Sequence, residues 1–316
     1  MERARIGDYV SRCASLATLM EVSAYPKPGN VHRTRDFPET RFEHFLAGGV
    51  ALGPEMRELA LRGQNAISGT LGWEHINLGR SVLNAVDESL EWQGGGNVNL
   101  GVLLLFAPIA AAAGATLYES LSIDAMDLRK NLEKVVKAAS PVDTVAIYKA
   151  IQLAMRSENL GDVVELDVTD RHSLIRIDDE GLSPLDVFEK CAKRDSICSE
   201  WITVFQITFG VGLPKLKTAL NRASLNDAII DTFMHILSKY PDSLIIRKSG
   251  ITKAVDVSKQ ATKILKAGEV NIVKGKKLLW DFDNELHESE GGLNPGTTAD
   301  LTAASLFVLL LEGWRP

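Results

Sequence analysis

An all-α, single-domain array of about ten helices is the fold this sequence predicts, on three observations: repeated helix-start punctuation, apolar residues at helical spacing behind it, and few strand signals. Ser140-Pro141-Val142-Asp143 and Ser183-Pro184-Leu185-Asp186 each offer a capping hydroxyl, proline in the first turn and an acid at the third helical position. Behind the first run Val142, Val145, Ala146, Ile151 and Ala154; behind the second run Val187, Phe188, Cys191, Ile202 and Phe205, all at helical spacing. Further starts are expected near Ile6, Glu55, His75, Asn99, Ile123, Asn226, Thr252, Val270 and Thr297, with Gly268 as a stop. Only 163–168 and 243–247 are β-compatible, and neither sits in an alternating strand–helix rhythm.

At 316 residues, with 45% hydrophobic and 24% charged side chains, the chain can bury a substantial core as one domain over residues 1–316 with two subregions. Its net charge of −6 supplies no field to attract nucleic acid to the surface, so no nucleic-acid partner is expected. The longest apolar stretch, Val102 to Ala115, contains Pro108 and reads as a buried helix too short to cross a bilayer, so no membrane partner is expected either. Cys13, Cys191 and Cys198 form no CxxC pair, and an odd count is a poor disulfide framework. Buried core thiols in a reducing cytoplasm fit them, with no chemistry assigned. An oligomer is compatible with the sequence.

Function is sought in the polar, glycine-rich loops, which rigid scaffolds use to hold ligands. The first, Glu21 to Phe37, mixes anion and metal ligands: Lys27, His32, Arg33 and Arg35 stand beside Glu21 and Asp36. Pro26 and Pro28 stiffen the backbone at Lys27, which would suit a phosphate grip by an exposed side chain. An ordinary solvated loop is the alternative. The second, Gln93 to Gly101, runs into an apolar helix whose free amides favour a phosphate near Gly96, Asn97 and Asn99. It lacks the Lys-Ser/Thr of a P-loop. In the third, Gly291 to Asp300, Thr297 and Asp300 have capping-box spacing, which leaves Asn294-Pro295-Gly296 ahead of them unexplained. If the three loops converge, they hold the parts for a magnesium-bound polyphosphate. His44, His75, His172, His235 and His287 show no metal-ligand spacing and are expected to be structural, and the five tryptophans to be core or interface anchors.

The chain resembles the triphosphoribosyl-dephospho-CoA synthase family through Pro26-Lys-Pro-Gly-Asn-Val, Gly96-Asn-Val-Asn-Leu-Gly, Tyr240-Pro-Asp-Ser-Leu-Ile and Leu293-Asn-Pro-Gly-Thr-Thr-Ala-Asp-Leu, in order along the chain. The resemblance implies an all-helical fold. It also implies a reaction in which the ribose 2′-hydroxyl of 3′-dephospho-CoA attacks the anomeric carbon of ATP, releasing adenine and keeping the triphosphate on the transferred ribose. Such chemistry needs a base, a magnesium-bound triphosphate and stabilisation of a cationic ribose. On this reading Glu21 and Asp36 are the candidate catalytic acids. Lys27, His32, Arg33, Gly96, Asn97, Asn99, Asn294, Gly296 and Thr297 would contact substrate. Asp36 and Asp300 would hold Mg2+, with ATP and a small nucleotide acceptor as partners.

Departures mark a divergent branch. Bacterial members typically read Gly-Val-Asn-Thr-His-Lys-Gly where this chain has Gly96-Asn-Val-Asn-Leu-Gly, without the histidine and lysine. The family's Gly-Ala-Arg-Gly-Glu-Ala stretch has no counterpart nearer than Lys193 to Glu200, and His32 replaces the usual acid after Pro-Gly-x-Val. A metal-dependent all-α nucleotide hydrolase or N-glycosidase, activating water in place of a hydroxyl, is the competing enzyme reading. A non-enzymatic nucleotide-binding helical module is the third.

Overall fold

The computed structural model describes residues 5–155, 166–267 and 273–316. Two helices with apolar residues on every face form its centre, as all-round hydrophobicity requires: α5 (Leu100–Ser120) and α16 (Gly296–Leu311). Phe106 of α5 stacks on Phe307 of α16, with ring centroids 4.5 Å apart, and each such buried ring contributes about 1.5–3 kcal/mol. Around this pair pack α1 (Ile6–Ser23), α2 (Phe42–Ala51), α3 (Gly53–Ile67), α4 (Leu78–Trp92), α6 (Ala125–Ala138) and α7 (Pro141–Ala154). The closest crossing is α3 on α5. A Cβ on Gly63 would lie 1.8 Å from the Ala111 carbonyl oxygen, and one on Gly114 1.8 Å from that of Ala60, so only hydrogens permit this approach.

The second half comprises α8 (Arg171–Asp179), α9 (Pro184–Cys191), α10 (Ser196–Ile202), α11 (Leu213–Leu220), α12 (Leu225–Lys239), α13 (Ser243–Ser249), α14 (Ile251–Ala267) and α15 (Val273–His287). Among the described residues there are thus sixteen α-helices and no strand, against about ten helices expected. Three of the helices without an expected start are short and opened by aspartate. Asp170, Asp195 and Asp242 accept amide hydrogens at the starts of α8, α10 and α13. These helices are too short for an apolar stripe to repeat, so periodicity passes over them. The β-compatible 243–247 segment is one of them, its first turn held by Asp242. Of the 163–168 segment, 163–165 lie outside the described residues, as do Gly268 and Val270.

Both Ser-Pro-x-Asp boxes form at α7 and α9 as expected. His75 lies in a 3-10 turn ahead of α4. The Val102–Ala115 stretch belongs to a longer helix than expected, 21 residues, long and apolar enough to cross a membrane by length and composition alone; here 94% of its most apolar window is buried in the array. The expectation of free core thiols is corrected for two of three cysteines. Cys191 and Cys198 are joined by a disulfide, because the turn between α9 and α10 brings their Cα atoms to 6.0 Å, while Cys13 is free and buried.

Candidate active site

One cleft of about 720 Å³ takes residues from all three glycine-rich loops. The last turn of α1 supplies Glu21, the loop after it Asn30, the approach to α5 Asn97 and Asn99, and the start of α16 Asn294, Gly296, Thr297 and Asp300. The first and third loops are tied directly, since Asn30 Nδ2 donates to Asn294 Oδ1 at 2.8 Å. Asp283 of α15 braces the first loop from behind, accepting from Gly29 N–H at 3.0 Å.

Two carboxylates occupy the polar end. Glu21 is buried, and burial raises its proton affinity while the adjacent Lys27 ammonium lowers it. Asp300 is pushed well above the usual carboxylate range, by burial first and then by the negative charges of Glu21 and Asp242. No side-chain hydrogen bond reaches Asp300 from the described residues. Room for its carboxylate exists because position 101 is glycine; a Cβ there would lie 2.0 Å from Asp300 Oδ2. The amide Asn99 Nδ2 and the guanidinium Arg247 Nε are buried without hydrogen-bond partners among the described residues. Both residues line the cleft, as do Lys190 and Arg194. Arg247 also pairs with Asp195. The remaining wall is apolar, with Tyr148 and Ile151 of α7, Met155 just after it, and Val187 and Phe188 of α9. Among the described residues no group of three or more His, Cys, Asp or Glu is placed to hold a metal alone.

The structure therefore gathers Glu21, Asn97, Asn99, Asn294, Gly296, Thr297 and Asp300, and leaves five other candidates elsewhere. Lys27 lies beneath the cleft wall, 0% exposed, donating to Glu21 Oε1 at 2.5 Å, so it does not extend to a phosphate as an exposed lysine would. Asp36 is exposed, outside the cleft lining, and accepts the Phe42 N–H at 2.7 Å, closing the turn before α2. His32 is fully buried against Asp283, 3.4 Å away, and desolvation pushes its pKa down. Arg33 is on the surface, donating to the Ser23 carbonyl at 2.6 Å. Gly96 is an exposed turn residue at φ 71°, away from the lining. Within the cleft Asn97 Oδ1 accepts from the N–H of Leu100, the first residue of α5, at 3.1 Å.

The expected Thr297–Asp300 capping box does not form. The start of α16 is held from across the fold, with Thr298 N–H and Oγ1 both donating to Asp242 Oδ2 at 2.7 Å, which frees Asp300 for the cleft. Sequence reasoning passed over Asn30, although it stands inside the Pro26–Val31 motif. It gave no role to Gly101, although that residue ends the second loop, nor to Arg194 within the Lys193–Glu200 stretch, and it had no signal for Arg247.

The model of the ATP:dephospho-CoA triphosphoribosyl transferase family matches residues 7–316. No curated protein matches the chain significantly. Among solved structures, a candidate triphosphoribosyl-dephospho-CoA synthase from Archaeoglobus fulgidus is similar at 25% sequence identity and a TM-score of 0.64, covering 87% of this chain and 100% of that one.

Proposed function

The chain belongs to the ATP:dephospho-CoA triphosphoribosyl transferase family, and from that premise we propose that the cleft between α1, α5, α10 and α16 is where transfer occurs. The observation that carries this reading is the convergence of three loops, coded far apart, on one pair of carboxylates. Glu21 takes the proton of the acceptor's ribose hydroxyl as that oxygen attacks the anomeric carbon of ATP. The bond from that carbon to adenine breaks, and the triphosphate stays on the transferred ribose. Burial strengthens Glu21 as a base, and the adjacent Lys27 ammonium opposes that shift.

The cations Arg194 and Arg247, which line the cleft, suit phosphate oxygens. These cations stand in for the histidine and lysine that bacterial members carry in the second loop. Asp300 fits Mg2+: its carboxylate has no hydrogen-bond partner among the described residues, and the neighbouring negative charge favours a cation beside it. Bound there, Mg2+ would neutralise triphosphate charge. Adenine release from ATP in the presence of Mg2+ and dephospho-CoA tests the reading. Glu21→Gln is expected to slow it by about 10²–10⁴, the range for loss of a general base, and an undiminished rate would overturn the assignment.

A further inference from the structure

Beside its carboxylates and amides, the cleft is lined by apolar side chains of α7 and α9 and by the Cys191–Cys198 disulfide, both of whose residues reach it. Cys191 is half-buried while Cys198 is 8% exposed, so Cys191 is the more accessible residue of the pair. Lys190 precedes it in sequence and also lines the cleft, and a cation beside a disulfide draws thiolates to it. A polar nucleotide joined to a long, weakly polar arm that ends in a thiol matches this mixed lining, and dephospho-CoA has that form.

We propose that the acceptor lies with its pantetheine arm along the apolar wall and that its terminal thiol exchanges with the Cys191–Cys198 disulfide, an inference that rests on the transfer reading above. The acceptor thiolate attacks Cys191 Sγ, the bond between the two cysteine sulfurs breaks, and its electron pair leaves on Cys198 Sγ as a thiolate. One disulfide is consumed and one formed, so no outside oxidant or reductant enters. The Cys198 thiolate attacks back to release the acceptor. Oxidised protein thus tethers its acceptor reversibly, whereas the dithiol form binds it without a covalent bond. Cys13 is an internal control, since it is buried away from the cleft and burial pushes its thiol up to about 11.

The test incubates the full oxidised chain with dephospho-CoA, without ATP, and quenches with N-ethylmaleimide to cap the released thiol before intact-mass measurement and peptide mapping. The expected result is one acceptor on Cys191 and one maleimide on Cys198. The rate should exceed that of glutathione at equal concentration by about 10-fold or more, because binding raises the effective concentration of the thiol. An excess of S-methylated dephospho-CoA should suppress it. No adduct, or one formed as fast with glutathione, overturns the inference. Adenine release is followed in parallel under reducing conditions. Turnover without an adduct discards the exchange and leaves the transfer reading standing, whereas a specific adduct without turnover does the opposite.

Discussion

Replacing Lys27 by methionine isolates the buried charge under the cleft while keeping most of the side-chain volume. Lys27 is fully buried, Glu21 is 7% exposed, and their contact is 2.5 Å. Removing one partner of a buried ion pair leaves the other charge uncompensated, at a cost of about 3–5 kcal/mol. With about 2 °C per kcal/mol for a chain of this length, the melting temperature at neutral pH should fall by about 6–10 °C. The loss should depend on pH with a definite sign. Without its cation Glu21 has a folded pKa further above the unfolded value of about 4.3, so the native state binds the extra proton. The variant's deficit is therefore small below about pH 4 and grows as pH rises. In Lys27→Met/Glu21→Gln the stranded charge is gone, and much of the lost stability should return. Thermal unfolding followed by circular dichroism across pH 4–8 reads all three quantities. An unchanged melting temperature in Lys27→Met, as an exposed phosphate-gripping lysine would give, or a double variant no better than the single one, refutes the reasoning.

Asp300→Asn should leave the melting temperature unchanged or raised, since burial and the Glu21 and Asp242 charges already oppose its ionisation; adenine release should fall and need more Mg2+. Wild-type turnover and Mg2+ dependence would remove Asp300 from the site. Gly101→Ala places a methyl 2.0 Å from Asp300 Oδ2. Alanine's helix preference of about 1 kcal/mol offsets part of an overpacking cost of about 1–3 kcal/mol, so activity should drop far more than stability; parallel turnover and melting assays compare the two losses. Glu200 is fully buried, and burial raises its carboxyl to about 7 despite hydrogen bonds from Ile207 N–H and Thr208. Its contribution is fully present below the unfolded pKa and lost as pH rises through about 7; Glu200→Gln should flatten that part of the stability–pH curve. A curve unchanged in the variant would exclude Glu200 as its source.

Local chemistry was legible wherever neighbours in sequence do the work. Ser140 with Asp143 and Ser183 with Asp186 satisfy amides three residues away, so the boxes at α7 and α9 could be read from letters alone. The unbroken hydrophobicity of α5 and α16 marked the core, because a helix apolar on every face must be surrounded. Asn294 was legible by elimination, as capping gave no reason for it. Asp36 misled because an aspartate in a basic, proline-rich loop is equally suited to binding a ligand and to closing a turn; its partner, the Phe42 amide, becomes evident only in three dimensions.

The sequence by itself determined that the chain is helical and where its buried centre lies, since these follow from spacings of three or four residues, and it singled out the polar loops that meet at the cleft. Tertiary structure decided what each charge in those loops is for. Whether Lys27 meets a phosphate or Glu21, and whether Asp300 caps its own helix or faces a cleft, depends on residues such as Asp242 and Gly101 that are remote in sequence. Burial and close approach set the energy of a charge, and both are properties of the packed chain.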